Sequence, residues 1–179
     1  VFRITPPRPD SPPGTQATLP LPSDLFTGRQ QELDALRVAL EASRHTWVSL
    51  MGPGGVGKTR LALEYARQAH FTGGVWLIDL QPAHTEADIR AAIRAALNIT
   101  GPIRLAAALS LRPRTLLILD NAEHVVEATG AILTAIGRAA RCLVTSRLPI
   151  RAPGERRIVL GPLATEDLSL IHISEPTRL

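Results

Sequence analysis

A chain of 179 residues with 45% hydrophobic side chains and a formal net charge of +4 is long enough for one domain around a full hydrophobic core. This composition excludes a disordered tail and a collagen-like fibre, and the single cysteine, Cys142, excludes a small domain held together by disulfides. No apolar run reaches the roughly 18 residues of a membrane span, so we expect no membrane partner. The single cysteine fits a reducing compartment, and we expect a cytoplasmic location. The charge excess comes almost entirely from arginine. We interpret it as compositional bias rather than as a nucleic-acid-binding surface.

The N-terminal segment differs in composition from the rest of the chain. Residues 1–22 hold seven of the fifteen prolines, and proline at this density disfavours both helix interiors and sheet ladders. The segment is therefore predicted to be a linker, and the globular domain is expected to cover residues 23–167.

Short apolar strands alternate with amphipathic helices along the globular part. The strands are predicted at residues 46–51, 75–80, 115–120, 142–146 and 156–160. Helices are predicted at residues 30–44 and 57–70, after a capping box formed by Thr85 and Asp88, and from a cap at Asn121 to about Ala139. Because each strand is apolar throughout, the pattern indicates an α/β fold with a parallel sheet covered by helices on both faces.

The last residues do not continue this pattern. Residues 168–178, LSLIHISEPTR, resemble the translation of a sequencing adapter, and the alternative interpretation is a genuine amphipathic strand. On the first interpretation residues 168–179 are a non-native tail, the natural sequence stops near Asp167, and neither His172 nor Glu175 is a candidate site residue.

The strongest chemical signal is the phosphate-loop motif G-x-x-x-x-G-K-[ST]. It lies between a predicted strand and a predicted helix, which is the context that the motif requires. Glycines let the backbone N–H groups face phosphate oxygens, and the helix adds its positive N-terminal end. Lys58, the only lysine in the chain, would contact the phosphates, and the Thr59 hydroxyl would bind Mg²⁺. The predicted nucleotide-binding residues here are Gly52, Pro53, Gly54, Gly55, Val56, Gly57, Lys58, Thr59 and Arg60.

A second group of candidates follows the strand at 115–120. Asp120 emerges at the carboxyl edge of the sheet, where a carboxylate can hold Mg²⁺ beside the phosphates. The next residue is Asn121 instead of the glutamate that would activate water in a rapid ATPase. Glu123 and His124 remain as groups that could orient water. We interpret His124 as structural, and the sequence leaves Glu123 open between catalysis and stabilisation of a helix N-terminus.

Arg147 follows the strand at 142–146 and is therefore expected at the same edge of the sheet. A guanidinium there could contact a γ-phosphate and sense whether it is present. The alternative is an exposed arginine at a strand end. The candidate catalytic residues are thus Lys58, Asp120, Glu123 and Arg147, and the candidate metal ligands are Thr59 and Asp120.

Five segments in order carry a family resemblance: FTGRQQELDAL, GPGGVGKTRLALEYA, GGVWLIDL, LLILDNAEHV and LVTSR. From about Leu21 to Leu163 the chain resembles the nucleotide-binding domain of STAND-class P-loop NTPases. It is most similar to the NB-ARC-like ATPase domain of bacterial LuxR-type and related regulators. The resemblance implies a three-layer, AAA-like fold with strand order 5-1-4-3-2. It also implies that Gly28 and Arg29 lie near the adenine.

The same resemblance implies a function and partners. Such domains bind ATP or ADP with Mg²⁺ and act as switches with slow hydrolysis, and the ATP state can self-oligomerise. The family's downstream helical and winged-helix domains would follow residue 163, and DNA would be bound only through another domain.

Two alternatives from other functional classes remain. A module that holds ADP without hydrolysing ATP cannot be separated from the slow ATPase by sequence, because Asn121 weakens the catalytic case without excluding it. A small P-loop kinase would use an acid on the second strand, where Asp79 lies.

Overall fold

A six-stranded sheet forms the centre of the molecule. The structure is a computed structural model that describes residues 2–4, 28–42 and 47–162. The strand order is β1-β3-β4-β5-β2-β6. The strands are β1 (Phe2–Ile4), β2 (Trp47–Met51), β3 (Val75–Asp79), β4 (Leu116–Asp120), β5 (Arg141–Ser146) and β6 (Arg156–Val159). Strands β2 to β6 are parallel to one another, which confirms the predicted five-stranded parallel sheet and its order.

Five α-helices connect and cover the strands. They are α1 (Gln30–Arg37), α2 (Lys58–Gln68), α3 (Glu86–Ala96), α4 (Leu105–Ser110) and α5 (Val126–Ile136). A π-helical turn, Val38–Ala42, continues α1, and a 3₁₀ turn, Ala122–His124, precedes α5. The predicted capping box is present, because Thr85 accepts from the Asp88 amide while the Asp88 carboxylate accepts from the Thr85 amide.

Alternation along the strands builds two hydrophobic layers. Leu117 and Leu119 of β4 face the layer that contains α3, α4 and α5, whereas Leu116 and Ile118 face the layer that contains α1 and α2. All four side chains are fully buried. The sheet is therefore covered on both faces, and the predicted three-layer architecture is confirmed.

Three local features differ from the predictions. Asn121 stands at the N-cap of the 3₁₀ turn, but its backbone is left-handed (φ 62°, ψ 48°) and its side chain makes no capping hydrogen bond, since it donates to Asp79 of β3. The predicted helix at 30–44 changes to π-helical geometry at Val38, and α4 was not predicted.

The N-terminal segment contributes one element to the described structure. Strand β1, which lies inside the predicted linker and before its first proline, pairs with β3 in antiparallel orientation. The other residues of that segment, the boundary at 167 and the tail at 168–179 lie outside the described residues, so those predictions stay predictions. Among the described residues, no helix has the length and apolarity needed to cross a membrane.

Candidate functional site

The connection between β2 and α2 is the predicted phosphate loop. Gly52 has a positive φ of 154°, and a Cβ there would lie 2.7 Å from the Leu160 carbonyl oxygen. Gly57, at the N-cap of α2, has a φ of 95°. Both conformations favour glycine, so these two motif glycines have a structural explanation. The loop brings the N-terminus of α2, whose first N–H groups have no acceptor within the helix, to the carboxyl edge of the sheet.

The Lys58 ammonium is folded back over this loop. Its Nζ donates to the carbonyl oxygens of Gly52 and Pro53 at 2.8 and 2.9 Å. Partial burial lowers the pKa of the Lys58 amino group below its usual value, and Arg147 acts in the same direction. The carboxylates of Glu123 and Asp120 oppose that decrease. A polyphosphate at the loop would add negative charge and would favour the protonated ammonium further.

A hydrogen bond joins the first turn of α2, directly after the phosphate loop, to β4. The Thr59 hydroxyl donates to Asp120 Oδ1 at 2.8 Å, and the Asp120 carboxylate is almost buried, with 7% of the residue exposed. Thr145 of β5 also donates its hydroxyl to the same oxygen. The structure therefore brings the two predicted metal ligands into direct contact.

These oxygen donors fit a magnesium ion bound together with phosphates. No group of three or more His, Cys, Asp or Glu side chains suited to a metal is present within the described part of the chain. A Mg²⁺ ion in a phosphate site needs fewer protein ligands, because phosphate oxygens and water complete its shell. Thr59 and Asp120 supply a hydroxyl and a carboxylate that contact each other beside the loop, which matches that requirement.

Arg147 and Glu123 form an ion pair next to the loop. Arg147 Nε lies 3.1 Å from Glu123 Oε1. The Arg147 guanidinium also covers Gly54, since a Cβ at Gly54 would lie 3.3 Å from its central carbon. The side chain of Arg147 is 63% exposed, so solvent weakens this ion pair and leaves the guanidinium accessible.

Arg29 connects the phosphate loop to the end of the sheet. Its guanidinium donates to the carbonyl oxygens of Val56 and Gly161 at 3.2 and 2.7 Å and pairs with Glu32. Gly28 precedes it with a positive φ of 76°. The structure thus places Arg29 next to the phosphate loop, and the predicted proximity of Gly28 and Arg29 to the adenine stays a prediction. Arg60, the remaining predicted binding residue, lies exposed in the first turn of α2.

In the turn after β4, the side chains of Asn121 and His124 bind partners outside the phosphate loop. Asn121 Nδ2 donates to Asp79 Oδ1 at 3.1 Å, and the same carboxylate oxygen accepts from the Gln81 amide. His124 Nε2 lies 2.9 Å from the Ala83 carbonyl oxygen and, because a carbonyl only accepts, must carry the proton. This contact agrees with the structural interpretation of His124.

Glu155 is a residue that the sequence did not single out. The segment between β5 and β6, residues 147–155, crosses beside β2 and begins with Arg147; we call it the strap. The Glu155 side chain is 4% exposed and accepts hydrogen bonds from four donors, which are Ser49 Oγ, the Ile150 and Arg151 amides and the Arg157 guanidinium. Burial alone would raise the pKa of Glu155, but these hydrogen bonds hold it below its usual value.

Comparison with known proteins gives the family. The sequence profile of the NB-ARC domain matches residues 29–150. An uncharacterized protein of Mycobacterium tuberculosis is 33% identical over 165 residues, covering 86% of this chain and 42% of that relative. A putative HTH-type transcriptional regulator of the same organism is 38% identical over 117 residues, covering 60% of this chain and 13% of the regulator. The chain thus spans less than half the length of these relatives.

Solved structures share the fold at lower identity. Cdc6p from Pyrobaculum aerophilum has a TM-score of 0.57 at 20% identity, covering 90% of this chain and 50% of that one. The ORC1 protein of Aeropyrum pernix, solved in complex with DNA, has a TM-score of 0.59 at 20% identity, covering 84% and 50%. At this identity the likeness concerns the fold alone. With the profile match over more than half of its length, the chain belongs to the NB-ARC family of P-loop ATPase-like domains.

Proposed function

We propose that this chain is the nucleotide-binding switch domain of a signalling or transcription-regulatory ATPase, which binds ADP or ATP with Mg²⁺ and hydrolyses ATP slowly. The observation that carries the proposal is the 2.8 Å hydrogen bond between Thr59 and Asp120. It closes the phosphate loop against β4 with Lys58 lying over the same loop.

Each residue of the site has a role in this proposal. The loop amides and Lys58 bind the phosphates, and Thr59 and Asp120 hold Mg²⁺. Bound Mg²⁺ would neutralise phosphate charge. Gly28 and Arg29 would lie near the adenine, as the family resemblance implies, and the hydrogen bonds from Arg29 to the Val56 and Gly161 carbonyls support a position next to the phosphate loop.

The turn after β4 supports slow rather than rapid hydrolysis. Asn121 cannot act as a base, and its amide is engaged by Asp79. Glu123 is the remaining candidate to orient water, and its carboxylate is paired with Arg147. If Arg147 bound a γ-phosphate in place of Glu123, the Glu123 carboxylate would be released. Arg147 is therefore proposed as the group that senses the γ-phosphate.

The regulatory context is supported by one relative, the putative HTH-type transcriptional regulator. In this proposal DNA binding, signal recognition and the helical and winged-helix domains belong to other parts of a longer protein. Self-association in the ATP state and a cytoplasmic location are also part of the proposal.

A module that binds ADP without hydrolysis is the second candidate, and the same Asn121 contact favours it. Single-turnover measurement with ATP separates the two, because slow release of phosphate supports the switch and its absence supports the module. A kinase is disfavoured, because the Asp79 carboxylate already accepts from Asn121 and Gln81.

Nucleotide titration with and without Mg²⁺ tests the proposal. Lys58→Ala is expected to weaken ADP and ATP binding roughly 10- to 100-fold, because it removes a charge-assisted contact to phosphate. Arg138→Ala is the matched control, since Arg138 is an exposed cation after α5 and should leave affinity unchanged. Equal affinities of wild type and Lys58→Ala would refute the assigned role of the loop.

A further inference from the structure

The Asp120 carboxylate is oriented by two hydroxyl groups that belong to different elements. Thr59 reaches it from the first turn of α2, and Thr145 reaches it from the neighbouring strand β5. Both hydroxyls donate to Oδ1, and neither bond engages Oδ2. Thr145 is almost fully buried, with 1% of the residue exposed.

The strand register places Thr145 at this point. Strands β4 and β5 are parallel, and their last paired residues are Leu119 and Val144. Asp120 and Thr145 each come one residue after this pair, so they lie side by side on neighbouring strands. Because adjacent residues at the same register project to the same face of a sheet, the hydroxyl lies next to the carboxylate. A shift of β5 by one residue would remove the contact.

A third group fixes the direction of the Thr145 proton. The backbone N–H of Asn121 donates to Thr145 Oγ1 at 3.1 Å. A hydroxyl has one proton to give, and an ionised carboxylate can only accept. Because the Asn121 N–H donates to its oxygen, the Thr145 hydroxyl donates its own proton to Asp120 Oδ1. The two hydrogen bonds therefore run in the same direction, from Asn121 through Thr145 to Asp120.

We propose that Thr145 is a positioning residue that orients the Asp120 carboxylate for Mg²⁺ bound with the nucleotide. This inference rests on the proposed function. Two donors on Oδ1 restrict rotation of the carboxylate and leave Oδ2 for the ion or its water. Groups that hydrogen-bond to metal ligands orient those ligands, and their loss typically lowers metal affinity 10- to 100-fold.

The chain offers a matched control for a purely structural role. Thr129 of α5 is also fully buried, and its hydroxyl has no hydrogen-bond partner among the residues that the structure describes. Replacement of either threonine by valine therefore removes a buried hydroxyl while keeping the shape. Only the replacement at Thr145 removes a donor from Asp120.

The experiment measures how Mg²⁺ concentration changes the affinity of the whole 179-residue chain for a fluorescent ADP analogue. Thr145→Val is expected to raise the Mg²⁺ concentration at half-maximal effect by about 10-fold or more, while the Mg²⁺-free affinity changes less than about 2-fold. Thr145→Ser, which keeps the hydroxyl, and Thr129→Val should both retain the wild-type Mg²⁺ midpoint.

Two results would overturn the inference and leave the proposed function intact. These are a wild-type midpoint in Thr145→Val, or an equal shift in Thr145→Ser and Thr145→Val. If Thr145→Val does not fold, Thr145→Ser decides alone, and a 10-fold shift in it contradicts the inference. Absence of any Mg²⁺ effect in the wild type would instead refute the proposed metal site itself, and the inference with it.

Discussion

The phosphate loop and the strap lead to Lys58 and Arg147, two cations near the same edge of the sheet, but the two regions are held in place in different ways. Residues 52–57 of the loop depend on backbone conformations that favour glycine, at Gly52 and Gly57. The strap, residues 147–155, is held by the buried carboxylate of its last residue, Glu155. This carboxylate accepts hydrogen bonds from two backbone N–H groups of the strap and from the Ser49 hydroxyl of β2. The comparison indicates that the conformation of the phosphate loop depends on the residue types of a few consecutive positions. The conformation of the strap depends instead on contacts that include residues far away in the sequence.

The largest effect is expected at the start of the loop. Gly52→Ala should destabilise the fold by about 3 kcal/mol, because the residue has a positive φ and the new Cβ would meet the backbone carbonyl of Leu160 at 2.7 Å. Chemical denaturation measures the change. Gly161→Ala is the control, since a Cβ there meets nothing within 4 Å. Similar stability of the two variants would show that the loop is not held by this backbone conformation.

A smaller and pH-dependent effect is expected in the strap. Glu155→Gln should cost about 2 kcal/mol at pH 7, because it removes a buried charge that accepts four hydrogen bonds. The folded-state pKa of Glu155 is lowered, so its stabilisation is present above the unfolded-state pKa and is lost as pH falls through the folded value. The difference in free energy of unfolding between wild type and Glu155→Gln should therefore shrink below about pH 4.

Unfolding curves between pH 7 and pH 3 give this difference directly. Glu127→Gln serves as the control, because Glu127 is exposed in the first turn of α5 and should change stability by less than about 0.5 kcal/mol. A difference between wild type and Glu155→Gln that stays constant with pH would contradict the role of the Glu155 charge.

The smallest effect is expected where the two regions meet. In Gly54→Ala the new Cβ would approach the Arg147 guanidinium at 3.3 Å. That group is the far end of an exposed side chain and can move, so stability should change by less than about 0.5 kcal/mol. Thermal unfolding next to Gly52→Ala tests the ranking. A large loss in Gly54→Ala would mean that Arg147 is fixed as firmly as the loop backbone.

The sheet, its order and the phosphate loop could be predicted from sequence because their signals are local. Apolar strands alternate with helices, and the glycine-lysine motif lies within eight positions. The position of Asp120 followed from the end of its strand. The predicted family is confirmed by the profile match over residues 29–150.

The turn after β4 and the strap could not be predicted, because their side chains bind partners far along the chain. Asn121 was expected to cap a helix, yet its amide binds Asp79, 42 positions away. Glu155 reaches Ser49, 106 positions away. Asparagine and glutamate in isolation do not indicate such partners, although a left-handed backbone is common for asparagine.

A crystal structure grown with ADP and Mg²⁺ would test the central claim most directly. The account predicts that the terminal phosphate lies within hydrogen-bond distance of the backbone nitrogens of the loop and of Lys58 Nζ, with the metal beside Thr59 and Asp120. Phosphates bound elsewhere on the molecule, with Lys58 still on the Gly52 and Pro53 carbonyls, would contradict it.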